Sequence, residues 1–185
     1  REERISEITP TGIRTPEGER EFDMIIYATG FDAMTGSLLR VDIRGRNGLP
    51  LGEAWEAGPR TYLGLNVVGF PNLFTITGPG SPSVLANMIM CIQQHVDWIT
   101  DSMDYLSENG LATMEASQEA QDAWVQHVND VAAETVFNDP SCNSWYLGAN
   151  IEGKSRVFMP LIGYPPYVEK CDEVAANGYE GFVLS

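Results

Sequence analysis

The chain has 185 residues, with 11 Lys and Arg against 26 Asp and Glu, giving a formal net charge of −15. Hydrophobic residues make up 43% and charged residues 20%, the composition of a folded domain rather than a disordered one. The acidic balance argues against nucleic acid and anionic membrane surfaces, both of which recruit Lys and Arg, and no apolar run reaches the length of about 18 residues that a spanning helix needs.

Residues 1–30 read as β structure. Arg4-Ile5-Ser6-Glu7-Ile8 alternates weakly, Thr9-Pro10-Thr11-Gly12 is a turn, Ile13 to Thr15 returns, and Pro16-Glu17-Gly18-Glu19 turns again. Arg20 to Thr29 ends in the apolar run Met24-Ile25-Ile26-Tyr27-Ala28, which reads as a strand buried on both faces. Residues 31–70 are punctuated by Gly and Pro and read as irregular connections, with short strands at Val41-Asp42-Ile43 and Tyr62-Leu63-Gly64-Leu65. Leu73-Phe74-Thr75-Ile76-Thr77 is a second buried-strand candidate, ending at Gly78-Pro79-Gly80.

The strongest helix is predicted over 83–108. Leu85, Met88, Ile89, Ile92, Val96, Ile99, Met103 and Leu106 recur at spacings of three and four, which gives one apolar stripe. Ser81 suits its cap, Pro82 its first position and Asn109-Gly110 its end. A second helix is predicted over 117–137, capped by Ser117, with a stripe of Trp124, Val128, Val131, Thr135 and Val136. Residues 138–166 read as a long loop with a short strand from Arg156 to Met159. A last helix is expected at 166–177, closed by Asn177-Gly178.

Three stretches carry candidate chemistry. Small residues at the strand end Ala28-Thr29-Gly30 let backbone approach a ligand, as at the carboxyl ends of strands in open α/β sheets; a plain turn reads equally well. Thr77-Gly78-Pro79-Gly80-Ser81-Pro82-Ser83 runs toward the long helix, where free amides attract a phosphate, a carboxylate or an electron-rich ring edge; an ordinary capped joint is the alternative. Ser144-Trp145-Tyr146 places aromatic rings in a loop, fit for stacking or hydrogen bonding, or simply for packing on the core. His95 and His127 sit in helix patterns without metal-ligand spacing. Glu115, Glu119, Asp122 and Asp130 read as solvated charges on helix faces. Cys91, Cys142 and Cys171 form no CxxC pair, which points to reduced thiols in a reducing, cytoplasmic compartment. The opening Arg1-Glu2-Glu3-Arg4, lacking Met and lying in a charged strand-like stretch, suggests a piece of something longer.

Taken together, several strings resemble the flavin-dependent Baeyer–Villiger monooxygenases. They are Asp23 to Ala33, Val41-Asp42-Ile43-Arg44-Gly45-Arg46, Gly58-Pro59-Arg60-Thr61-Tyr62-Leu63-Gly64, and Gly69-Phe70-Pro71-Asn72-Leu73-Phe74 through Gly78-Pro79-Gly80-Ser81-Pro82-Ser83. Ser144-Trp145-Tyr146 with Gly148-Ala149-Asn150-Ile151, and the ending from Cys171 to Phe182, agree. The resemblance covers essentially the whole chain but only the C-terminal third of such an enzyme. Both Rossmann glycine fingerprints, the family signature sequence and the family's catalytic Arg are absent from it. Gly163-Tyr164-Pro165-Pro166-Tyr167 also departs from the Arg-containing segment usual before the last helix.

The resemblance implies an α/β fold, the C-terminal portion of a flavoprotein with two dinucleotide-binding domains. Residues 1–30 would end the NADP-binding domain and 31–185 would complete the FAD-binding domain. It implies FAD and NADPH as cofactors, and a ketone and O2 as substrates of an oxygen insertion that yields an ester or lactone. Met88 would contact FAD, Trp145 would hydrogen-bond NADP, and the loop 138–150 would close as a lid. Ala28, Thr29 and Gly30 would form the crossing between domains. Pro82, Ser83, Val84 and Leu85 would border the substrate pocket. The partner of the chain would be the remainder of its own polypeptide, and alone it would be inert. An N- or S-oxidising flavin monooxygenase, or a non-catalytic interaction domain, are the alternatives.

Overall fold

The computed structural model describes residues 4–28, 35–82, 86–136, 139 and 163–185. The chain divides into two compact units, residues Arg1–Phe31 and Asp32–Ser185.

The first unit is an antiparallel meander of β1 (Glu7–Ile8), β2 (Gly12–Thr15) and β3 (Gly18–Glu21). Ile8 pairs with Ile13 and Thr15 with Gly18, so the Pro-containing turns fall where the sequence places them. The Arg14 guanidinium bridges Glu7 on β1 and Glu19 on β3, one cation bracing all three strands. The run at 24–28 departs from expectation. It is not a strand, and Met24, Ile26 and Tyr27 are exposed. A strand buried on both faces needs neighbours on each side, and among the described residues none pairs with it.

The second unit is built on three helices and a small sheet. α1 (Gly36–Leu39) and α2 (Leu51–Ala54) are single turns. α3 (Met88–Glu108), α4 (Gln118–Ala133) and α5 (Tyr164–Ala176) are the long elements. β4 (Met114–Ala116) pairs antiparallel with β5 (Phe182–Leu184), a ladder the sequence reading missed. The larger core joins Tyr62, Leu65, Trp98, Met114, Trp124 and Tyr167 with their neighbours, and a smaller one gathers Leu51, Trp55, Val67 and Phe70.

Helix α4 starts as predicted: the Ser117 side chain accepts from the Ala120 N–H at 3.1 Å. Its described end is Ala133, earlier than 137. Helix α5 starts at Tyr164, with Pro165 and Pro166 in its first turn, where missing N–H groups cost nothing. Helix α3 differs in start and in facing. Its cap is Asn87, not Ser81, and the Asn87 Oδ1 accepts from the N–H groups of Ile89 at 3.0 Å and Met90 at 3.4 Å. Its buried face is Cys91, His95, Trp98, Ser102 and Leu106, whereas Ile89, Ile92, Val96 and Met103 are exposed. The core face is rotated by about 100°, one residue's step, from the apolar stripe. Trp98 decides the matter: it packs at 5.2 Å from Tyr179 and its indole N–H donates to the Cys171 carbonyl at 3.0 Å.

The expected strands at 41–43, 62–65 and 73–77 are absent as strands; only isolated bridges, Arg44 with Pro50, Tyr62 with Asn66 and Asn66 with Phe74, lie there. Side-chain amides replace ladders. Asn66, fully buried, donates to the Leu73 carbonyl at 2.8 Å and accepts the Ala116 N–H at 2.7 Å. Asn72 accepts the Met114 N–H at 2.9 Å and donates to the Ala112 carbonyl at 3.0 Å. Glu115 and Gln121 accept from Gly69 and Val68 at 2.7 and 3.0 Å. Glu115 is thus no solvated helix charge: it lies on β4 and also takes Arg46 at 2.7 Å.

Candidate functional site

The loop at 77–82 is a firmly held irregular segment of the second unit. Residues 78–82 are buried, and three side chains from elsewhere in the unit, with one bond inside the loop, hold residues 77–82. Thr61 donates its hydroxyl to the Pro79 carbonyl at 2.6 Å. Trp124 on α4 donates its indole N–H to the Gly80 carbonyl at 2.9 Å. The Ser81 hydroxyl closes back on the Gly78 carbonyl at 2.7 Å. His95 on α3 accepts the Thr77 N–H through Nδ1 at 2.9 Å. The loop carbonyls are therefore turned toward the protein. Among the described residues, nothing accepts from the Gly78 or Gly80 N–H.

This geometry moves the candidate donors from the start of the helix to the loop. The glycine–proline loop does not run straight into α3; residues 83–87 intervene, and Asn87 itself takes two of the first amides of the helix. The Gly78 and Gly80 amides, without an acceptor among the described residues, are suited to an acceptor-bearing ring edge or anion.

The other expected site residues are distributed as follows. Pro82 is buried at the end of the loop, and Met88 is half-buried in the first turn of α3. Ala28 is exposed in the first unit. Thr29, Gly30, Ser83, Val84, Leu85 and Trp145 lie outside the described residues, as does most of the loop 138–150.

A cavity of about 150 Å³ lies along the outer side of the loop, lined by Pro59, Arg60, Thr61, Gly80, Trp124 and Val128. A larger groove of about 690 Å³ runs between α4 and α5 past Tyr62, Ala123, His127, Pro166 and Lys170. Of the expected cofactor and substrate residues that the structure describes, Ala28, Pro82 and Met88, none lines either. Among the described residues no cluster of His, Cys, Asp and Glu could hold a metal, and no helix is long and apolar enough to cross a membrane.

Electrostatics single out one group. Burial pushes His95 down to about 4, so its ring is neutral at physiological pH and its Nδ1 lone pair is free to accept. Burial pushes the Cys171 thiol up to about 12 and raises Cys91 as well, which leaves both protonated and poor nucleophiles. The sequence reading noted His95 only as a helix residue. Its signal was phase: His95 lies four residues after Cys91 and three before Trp98, on the face that is in fact buried.

No family model matches the chain, but curated proteins do. It is 41% identical over 188 residues to the acetone monooxygenase (methyl acetate-forming) of Gordonia sp., covering 100% of this chain and 35% of that protein. It is 39% identical to the cyclohexanone 1,2-monooxygenase of Acinetobacter sp., covering 96% and 32%. A phenazine N-monooxygenase of Lysobacter antibioticus is 37% identical, covering 97% and 33%. Among solved structures, a steroid monooxygenase bound to NADP superposes with a TM-score of 0.81 at 47% identity, covering 97% of this chain and 33% of that one. A cyclohexanone monooxygenase from Rhodococcus sp. Phi1, bound to NADP+, gives 0.87 at 37%, covering 99% and 34%. The chain is thus homologous along essentially its whole length to the flavin-dependent Baeyer–Villiger monooxygenases, and it spans about a third of the length of the curated relatives it matches.

Proposed function

We propose that the chain works as part of a longer FAD- and NADPH-dependent monooxygenase that inserts one oxygen atom of O2 beside a ketone carbonyl, giving an ester or lactone. The observation that carries this reading is the match of the whole chain to ketone monooxygenases at 39–41% identity. When bound, the flavin supplies the redox and oxygen chemistry, with NADPH as the source of reducing equivalents.

The chain's own contribution is to hold and orient. The Gly78 and Gly80 amides, which find no acceptor among the described residues, would meet the carbonyl edge of a flavin ring, and Met88 would pack against it. Pro82, Ser83, Val84 and Leu85 would border the ketone. Trp145 would donate its indole N–H to NADP, and the segment around it would cover the nicotinamide. Ala28, Thr29 and Gly30 would carry the chain between a nucleotide-binding domain ending near residue 30 and an FAD domain that residues 31–185 complete. We assign the enzyme to the cytoplasm, in keeping with the free thiols of Cys91 and Cys171.

Alone, the chain would be inert. The exposed apolar side chains of Met24, Ile26 and Tyr27, and those along α3, suit a surface that the rest of the polypeptide covers. The test is a pair of preparations. The complete polypeptide should bind flavin and couple NADPH oxidation to ester formation from cyclic and linear ketones. The 185-residue chain should be colourless. Flavin bound to the chain alone, or no ketone product from the complete enzyme, would refute the reading.

A second reading has a specific observation behind it: the phenazine N-monooxygenase is nearly as similar as the ketone enzymes. Presenting ketones, sulfides and aromatic nitrogen heterocycles to the complete enzyme in competition separates oxygen insertion from N- or S-oxidation.

A further inference from the structure

Three contacts, two buried and one half-buried, meet at His95 and Tyr167. Nδ1 of His95 accepts the Thr77 N–H at 2.9 Å, Nε2 lies 2.9 Å from the Tyr167 hydroxyl, and that hydroxyl lies 2.8 Å from the Leu63 carbonyl. A carbonyl can only accept, so the hydroxyl donates to Leu63. Its oxygen then accepts a hydrogen bond from the Nε2–H, which leaves the lone pair on Nδ1 for Thr77. Each bond fixes the direction of the next, and together they select one neutral tautomer of the imidazole.

The terminus of this relay is strained. Thr77 has a φ of 51°, a conformation that a β-branched residue adopts at a cost. Gly78 follows directly, and its N–H is one of the two loop donors with no acceptor among the described residues. The relay therefore links α5, through α3, to the residue where the loop turns. It also touches Leu63, and Thr75 on the approach to the loop donates to the neighbouring Gly64 carbonyl at 2.8 Å. Both strands of irregular backbone that form the site are tied to one buried pair.

The geometry points to His95 and Tyr167 as a positioning pair that sets the conformation of the loop at 77–82, and with it the loop amides and the placement of Pro82 at the edge of the substrate pocket. This rests on the function proposed above. Neither side chain touches cofactor or substrate in this role. Oxygen insertion requires the ketone to sit within about 1 Å of its productive place, so a relaxed loop lets NADPH be consumed without product.

Isosteric variants divide the relay. His95→Asn places an amide oxygen close to the position of Nδ1, keeping the acceptor for Thr77 while losing Tyr167. His95→Gln reaches toward Tyr167 but leaves Thr77 without its acceptor. His95→Leu removes both, and Tyr167→Phe removes the hydroxyl while keeping the ring. In the complete polypeptide, amide hydrogen exchange at Thr77 should accelerate about tenfold in His95→Leu and His95→Gln, the equilibrium worth of one buried hydrogen bond, and stay within about threefold of wild type in His95→Asn. The same two variants should raise the KM for ketone and the fraction of NADPH oxidised without ester, with the rate of NADPH oxidation itself little changed. His95→Asn should restore coupling. Should the leucine variant not fold, Tyr167→Phe still reads the relay, with faster Thr77 exchange expected. Unchanged Thr77 exchange in His95→Gln and Tyr167→Phe would overturn the assignment, as would full coupling with a freely exchanging Thr77. Wild-type enzyme that oxidises no ketone would instead refute the proposed function, and the exchange measurements would still decide the positioning role.

Discussion

The indole N–H of Trp124 donates to the Gly80 carbonyl at 2.9 Å, tying helix α4 to a loop 44 residues earlier in the chain. The indole is buried in the main core, so one side chain both fills that core and fixes the backbone of the candidate site. Replacing Trp124 with Phe keeps most of the apolar surface but leaves a buried carbonyl without its donor. We expect a loss of about 1–3 kcal/mol, read by urea unfolding, with faster exchange confined to residues 77–82. A loss spread evenly through the core, with the loop unaffected, would show that the indole acts by packing alone.

Gly64 sits where two irregular segments press together. Its φ is +72°, and a Cβ there would stand 2.3 Å from the Ser81 amide nitrogen and 2.5 Å from the Ser81 Cβ. Backbone nitrogen cannot swing aside as a side chain can. Gly64→Ala should therefore cost upwards of about 2 kcal/mol and displace the site loop, combining φ strain with overlap. Gly110→Ala supplies the comparison: φ is similar at +66° but nothing lies within 4 Å, so only about 1 kcal/mol should be lost. Equal costs at the two positions would mean that the contact with Ser81 is not tight in solution.

How far these features can be read in the sequence depends on whether they are local. Most turns and caps are legible because Pro, Gly and Ser act on their own neighbours: Ser117 caps α4, and Asn109-Gly110 and Asn177-Gly178 end α3 and α5, whereas Asn87 and not Ser81 caps α3. The facing of α3 is not, since two stripes about 100° apart are both defensible by spacing. The apolar one is exposed, while the buried one includes His95 and Ser102, polar residues that only become core residues once Thr77, Tyr167 and the Ile99 carbonyl are in place to bond them. The strands expected at 62–65 and 73–77 failed for a related reason. Asn66 and Asn72 join these segments to β4 and its approach through side chains rather than ladders, and no residue spacing announces an amide that reaches 50 residues along the chain to Ala116. Composition alone singles out the candidate loop at 77–82, but the residues that hold it, Thr61, Trp124 and His95, come from three different places in the chain.

The neutral state of His95 makes stability depend on pH. Its folded value is about 4 and its ordinary value 6.5, so the unfolded chain takes up the proton first. The stabilisation is complete above pH 6.5 and is lost as pH falls from 6.5 toward 4, by about 3 kcal/mol in all, with no further loss from this group below 4. The buried groups Cys91, Tyr167 and Cys171 are all shifted upward and remain neutral throughout that window. Asp122, held low by the hydrogen bond from Arg60, gives way only at more acidic pH. Urea midpoints measured from pH 7.5 to 4 should fall for wild type and flatten for His95→Asn, which has no titrating ring. Parallel curves for the two proteins would remove His95 as the source.

The exposed stripe of α3 separates folding from assembly. Ile89 is 72% exposed and Met103 59%, on a helix whose opposite side holds Trp98 at 5%. Side chains that gain nothing from the fold of this unit can be changed without harming it. Ile89→Glu with Met103→Glu should therefore leave the unfolding free energy of the chain within about 0.5 kcal/mol of wild type. An apolar stripe of this kind promotes self-association when left uncovered, and two carboxylates on it oppose that association. Sedimentation of the 185-residue chain should thus shift toward monomer in the double variant. In the complete polypeptide proposed above the same pair should be harmful: if the rest of that polypeptide covers the stripe, two buried charges must lower its melting temperature and its flavin content together. A complete enzyme that tolerates both carboxylates, with flavin retained and melting unchanged, would show that α3 faces solvent there as well, and the apolar stripe would then have to be explained without a covering domain.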